Sequence, residues 1–226
     1  MLLINRQRVS AGLARRKHLT KLAIAVVLGI LAQAVLGGIT VLTGLNPLTV
    51  AAHFLVSMSL IAVSVALLVR AVEPDEVTET VVAKPVRYLI QAITALTLLI
   101  IVLGTFVTGT GPHAGDTADV PRIGIDPVTI THVHSTAVQF FFGLVIGLIV
   151  AVLANESPRI FLKRSLIVMA VGLGQGAIGY IQYFTGLPWV LVAVHVLGAC
   201  LLWISVLYLY ALTVQPKGIA TSPANV

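Results

Sequence analysis

The stretch Ala32–Leu55, AQAVLGGITVLTGLNPLTVAAHFL, closes one apolar run, turns, and opens the next with a histidine, His53. Much of it returns at Gly174–Leu197 as GQGAIGYIQYFTGLPWVLVAVHVL. In both copies a glutamine (Gln33, Gln175) stands 20 residues before a histidine (His53, His195). Gly37 and Gly179, Thr43-Gly44-Leu45 and Thr185-Gly186-Leu187, and Ala51 and Ala193 keep the same register. An apolar run of about 20 residues matches a hydrocarbon core about 30 Å thick. Each copy is therefore a helix, a short turn and a second helix, crossing a membrane twice. A histidine recurring at one place in such a unit marks a functional position, because an imidazole in a membrane helix costs desolvation unless it has a partner.

The rest of the chain extends this reading. Its 226 residues are 58% apolar and 10% charged, with a mean hydropathy of +1.04, against about 45–50% apolar in soluble domains. Spanning runs fall near 22–44, 50–70, 88–109, 132–154, 165–186 and 189–213. The expected fold is an all-α integral membrane protein of six transmembrane helices. Lys and Arg are retained on the cytoplasmic side. Arg6, Arg8, Arg15, Arg16, Lys17 and Lys21 precede helix one, and Arg70, Lys84 and Arg87 flank the second loop. Arg159, Lys163 and Arg164 fill the fourth loop and Lys217 sits in the tail, leaving only Arg122 of 14 basic residues on the other side. Both termini are thus expected in the cytoplasm of a multi-pass cell-membrane protein. The net charge of +6 follows from that topology, and binding to nucleic acid is not expected, since the charges line membrane edges rather than one face.

The basic leader and first run are too long for a signal peptide and are read as a retained helix. The single Cys200 lies within the last helix, so neither a disulfide nor a CxxC motif is present, and a small packing residue is expected. The expected organisation is a basic cytoplasmic leader (1–21), a helix pair (22–70), a cytoplasmic linker (71–87), a four-helix bundle (88–213) and a cytoplasmic tail (214–226). The first pair then corresponds to the second half of a duplicated four-helix unit. A counterpart of helices three and four would be expected ahead of residue 1, or from another chain.

Five of the six histidines, His53, His113, His132, His134 and His195, fall at or near the expected outer edge, and His18 lies in the basic leader. His134 and His195 each open the second helix of adjacent pairs within the four-helix unit, where two neutral imidazoles across a bundle interior suit axial ligation of haem iron. The single-residue alternative is an interhelical hydrogen bond worth about 1 kcal/mol. The many glycines between Gly172 and Gly179 serve close helix packing or the approach of a flat macrocycle. Zinc is a poorer fit without an accompanying Cys or HExxH. His132 and His134, two apart, point to different sides of a helix. His134 begins the apolar face with Ala137, Val138, Phe140 and Phe141, so it is the expected ligand, and His132 a loop or supporting residue.

The motifs QAVLGGITVLTGLNPLTVAAHF, GTFVTGTGPHAGD (104–116), ITHVH before helix four and GQGAIGYIQYFTGLPWVLVAVH resemble the haem A synthases, the CtaA/Cox15 family, its actinobacterial members in particular. The resemblance covers residues 20–213. It implies two four-helix halves, each with a pair of haem-ligating histidines near the outer face, and oxidation of a haem O methyl group to the formyl group of haem A for cytochrome oxidase assembly. His134 and His195 resemble the pair that holds a haem b, and His53 one member of the pair at the substrate haem O, making all three iron ligands. His113 and Asp116 match the GPHAGD motif of the outer loop. The resemblance also implies haem O synthase, a farnesyltransferase, as a partner beside the lipid bilayer, and it leaves oligomeric state open, a homo-oligomer included. The family's first two helices, with a loop that supplies a catalytic glutamate, have no counterpart here. Glu73, Glu76, Glu79 and Glu156 all lie in expected cytoplasmic loops, so no catalytic residue is assigned, and a non-catalytic bis-histidine haem module, as carrier, electron relay or inactive fragment, is the competing expectation.

Overall fold

A computed structural model of the chain describes residues 17–72, 78–115 and 119–216. Six helices form: α1 (Lys17–Leu42), α2 (Pro47–Val72), α3 (Lys84–Thr110), α4 (Pro127–Ala154), α5 (Arg159–Phe184) and α6 (Trp189–Ala211). Each is long and apolar enough to cross a membrane. All but α6, which starts at 189 as expected, start earlier than the hydropathic runs, because their first turns are helical beyond the apolar stretch. In α3 and α4 a proline stands in the first turn, where the missing N–H costs nothing, and the Asp126 carboxylate caps α4 by accepting from the Thr129 amide at 2.8 Å. This carries the ITHVH motif into α4, so His132 is helical and not a loop residue.

The two repeated turns stop α1 and α5 two residues short of the expected ends. Gly44 and Gly186 adopt φ of 63° and 78°, and the following Leu45 and Leu187 φ of 57° and 58°. The Leu45 amide donates back to Thr40 and the Leu187 amide to Gln182, at 2.9 and 2.7 Å. This is a glycine-terminated helix end, with the left-handed leucine costing on the order of 1 kcal/mol.

Neighbouring helices pair as hairpins, α1 with α2, α3 with α4 and α5 with α6. Helix α4 also packs on α5, and α3 on α6, which closes a ring of four helices; α2 lies against both α3 and α6. The ring's core is Ile90, Ile93 and Ile100 of α3, Phe141, Val145 and Leu148 of α4, Phe161 and Val168 of α5, and Leu202, Val206 and Leu209 of α6, with their neighbours. The buried Thr97 hydroxyl is satisfied within its own helix by the Ile93 carbonyl at 2.7 Å, as a medium without water requires, whereas the buried Ser165 hydroxyl on α5 has no partner. A second cluster, Met58, Ile101 and Trp203, seats α2 on α3 and α6. Trp203 Nε1 donates across it to the Met58 carbonyl at 3.0 Å. Cys200 packs at its edge, half-buried, as a small side chain.

The chain alternates direction, so Arg70, Lys84, Arg87, Arg159, Lys163 and Arg164 gather at one end and the α1–α2, α3–α4 and α5–α6 turns at the other. One addition to the all-α expectation is a ladder of two three-residue strands at the basic end: β1 (Thr78–Thr80) pairs antiparallel with β2 (Val214–Pro216). It ties the α2–α3 connection to the segment after α6.

Candidate functional site

Each hairpin presents one histidine from its second helix to one glycine on its first. His53, His134 and His195 lie six, seven and six residues into α2, α4 and α6, about 9–10 Å below the helix start at 1.5 Å per residue. They therefore sit deeper than the first turn expected for them. A Cβ on Gly37 would meet His53 Cε1 at 3.4 Å; one on Gly104 would meet His134 Cε1, and one on Gly179 His195 Cε1, both at 3.5 Å. In each case Nδ1 follows at 3.9 Å. The sequence repeat paired Gly37 with Gly179, but Gly104 escaped it. Its hairpin has a longer turn and no Gln at the matching place, so 30 rather than 16 residues separate glycine from histidine.

The glycine notch lays the imidazole edge against helix backbone. The carbonyl facing His134 is that of Ile100, and the one facing His195 is that of Gln175, each one turn before the glycine. Neither approach closes into a formed hydrogen bond, so Nδ1 of all three histidines is buried and unpartnered. With Nδ1 turned to backbone, Nε2 is the atom each ring presents away from its glycine. His134 on α4 and His195 on α6 lie at the same end of the ring of four helices. His53 lies on α2, outside that ring.

The core thins where these two histidines stand. In α4 no residue between Ile130 and Phe141 is buried, in α5 none after Gly172, and in α6 none before Gly198. Two imidazoles on opposite helices of the ring, with orphaned ring nitrogens and few buried residues on α4, α5 and α6 at their level, while α3 keeps Thr105, Gly109 and Thr110 buried there, fit axial ligation of a flat macrocycle. The donor set does not fit a bare metal ion: among the described residues no cluster of three His, Cys, Asp or Glu side chains is placed to hold one.

The other expected residues fall around this pair. His132 is exposed on α4 and faces no glycine notch. His113 Nε2 donates to the Leu187 carbonyl at 2.6 Å, so it clasps the α3–α4 loop to the α5–α6 turn. Arg122 braces the same loop, donating to the Ala114 and Pro112 carbonyls at 2.9 and 3.4 Å. Asp116 lies outside the described residues, as do Glu73 and Glu76. Glu79 in β1 and Glu156 after α4 are at the basic end.

The two repeated glutamines diverge in use. Gln33 Nε2 donates to the His53 carbonyl at 3.0 Å and the Ser57 hydroxyl at 2.7 Å, locking α1 to α2 beside the histidine. Gln175 instead rests on Gly198, where any Cβ would overlap its amide.

The model of one protein family, COX15-CtaA, described as cytochrome oxidase assembly protein, matches residues 3–122, more than half of the chain. The chain belongs to the COX15-CtaA family. The matched segment carries α1, α2 and α3, and with them Gly37, His53, Gly104 and His113. No curated protein matches the chain. The α5–α6 hairpin lies beyond the matched segment of this COX15-CtaA chain, yet it repeats the glycine–histidine geometry of α1–α2 within it.

Proposed function

We propose that this chain binds a haem b between His134 and His195 and acts as a haem A synthase, oxidising a methyl group of the substrate haem O to the formyl group of haem A for cytochrome oxidase assembly. The observation that carries this reading is the matched presentation of the two imidazoles, each backed by a glycine, at one end of one ring of helices. Membership of a cytochrome oxidase assembly family supports the same direction. When bound, haem iron supplies the redox chemistry; the protein contributes ligation, orientation and exclusion of water. His134 and His195 would hold the haem b through their ring nitrogens. His53, in the same glycine-backed setting on α2, where Gln33 bonds its backbone carbonyl, would hold the substrate porphyrin. The gathering of basic residues at the opposite end supports a cytoplasmic position for that end and an outer position for the haem sites. Haem O synthase is the partner this reaction calls for, since it makes the substrate.

A second reading is a haem-binding module without its own oxidative activity. The placement of Glu79 and Glu156 at the basic end favours it, because neither reaches the histidine end. The two separate on one experiment: the chain is co-expressed with a haem O synthase in cells lacking their own haem A synthase, and the haems extracted from the purified protein are identified. Haem A in the extract supports the synthase; haem b with unconverted haem O supports the module; an extract without haem contradicts both.

A further inference from the structure

We infer that Gly104 and Gly179 are positioning residues for the haem site: each seats its histidine edge-on against helix backbone, fixing the direction in which Nε2 is offered. The inference rests on the haem reading above and adds residues to it. Three observations carry it. The contact recurs in all three hairpins at one geometry, Cε1 at 3.4–3.5 Å and Nδ1 at 3.9 Å from the glycine's added Cβ, although the α3–α4 hairpin differs in turn length and sequence. No other helical glycine faces an imidazole: Gly143, Gly147 and Gly174 would meet nothing within 4 Å, while Gly29 faces Leu60 and Gly172 the Phe141 and Phe142 rings. Finally, His132, two residues from His134 but without a glycine opposite, is exposed, so the ring without a notch is not drawn into the bundle.

The distances define a size limit. A methyl group at 3.5 Å from the ring makes an ordinary contact, so alanine is tolerated. Branched side chains carry atoms beyond Cβ, and these must occupy the space of the imidazole edge. The ring then swings about χ1 and χ2, and Nε2 leaves the line between the two helices. Axial ligation tolerates little of this, because the two imidazoles must approach one iron from opposite sides.

The test is a graded series, Gly104→Ala, Gly104→Val and Gly104→Leu, with the same three changes at Gly179, in the full chain purified with its haem. Gly147→Leu serves as the matched control on α4. Electron paramagnetic resonance and optical spectra of the oxidised protein read coordination, and circular dichroism reads helix content. The expected result is a six-coordinate low-spin haem in wild type, both alanine variants and Gly147→Leu. The valine and leucine variants give increasing high-spin haem at unchanged helix content, restored to low spin by added imidazole. Wild-type spectra throughout the series would overturn the positioning role, as would the same high-spin conversion in Gly147→Leu. Collapse of helix content in step with side-chain size would overturn it too, by making the glycines packing residues. Absence of haem from the wild-type protein would instead sink the haem reading itself.

Discussion

At the scale of single residues, His132 and His134 differ in their contact with helix backbone, and under the proposed function this contact singles out the ligand. Both stand on α4, but only His134 meets a glycine, and only its Nδ1 is buried. Replacing His132 with alanine therefore leaves the haem spectrum unchanged, whereas His134→Ala abolishes the low-spin signal; equal effects of the two changes would contradict the assignment. That His134 turns inward while His132 is exposed was legible in the sequence from the apolar face that follows His134. Gly104 was not, because a glycine has no side-chain chemistry to flag and its hairpin shares no repeat with the other two. Asp126 also belongs to this scale. Its hydrogen bonds to the Thr129 hydroxyl and amide hold its carboxyl below the ordinary carboxylate range. A depressed acid of this kind contributes its capping fully above the unfolded carboxylate pKa, about 3.9, and loses it as pH falls through the lower folded value. Protection of the Thr129 amide from hydrogen exchange, taken relative to its intrinsic rate at each pH, is expected to fall in that acidic window, a pH dependence supplied by the Asp126 carboxylate. Asp126→Ala abolishes the pH dependence, and persistence of the dependence in that variant would refute the cap.

At the scale of elements, the turn Thr185–Pro188 does two jobs. It ends α5 through two consecutive left-handed residues, and its Leu187 carbonyl receives His113 from the α3–α4 loop. A Cβ on Gly186 would meet nothing within 4 Å, but its φ is +78°, so Gly186→Ala costs backbone strain alone, about 1 kcal/mol. Reversible unfolding in mixed micelles measures this loss, and a variant as stable as wild type would show that the turn relaxes. Removing the clasp with His113→Ala is expected to speed amide exchange over 111–115 and at the α5–α6 turn without altering helix content. Unchanged exchange would mean the loop is held by Arg122 alone. The turn was legible from its repeated Thr-Gly-Leu, since glycine at a helix end is a local signal. The clasp joins residues 74 apart, and no local pattern in the sequence links them. The starts of α3 and α4 were misplaced for a similar reason: hydropathy ends where polar side chains begin, while Pro85, Pro127 and the Asp126 cap carry the helix further.

At the scale of the whole molecule, a ring of four helices carries the facing histidines and a fifth, α2, leans on it through Met58, Ile101 and Trp203. Trp203→Phe removes the hydrogen bond to the Met58 carbonyl, a loss of about 1 kcal/mol. A disturbance of the His134–His195 spectrum by this change would show that α2 shapes that site. The number of spans and the grouping of basic residues were legible because hydropathy and charge act along the chain. The β1–β2 ladder was not, since three-residue strands leave no periodicity. The central claim is that His134 and His195 together hold one haem independently of His53. Low-temperature electron paramagnetic resonance on the purified chain and on His53→Ala, His134→Ala and His195→Ala tests it most directly. The account predicts a low-spin bis-histidine signal that survives in His53→Ala and is lost from each of the other two. Its loss from His53→Ala, or its survival in either His134→Ala or His195→Ala, would contradict the account.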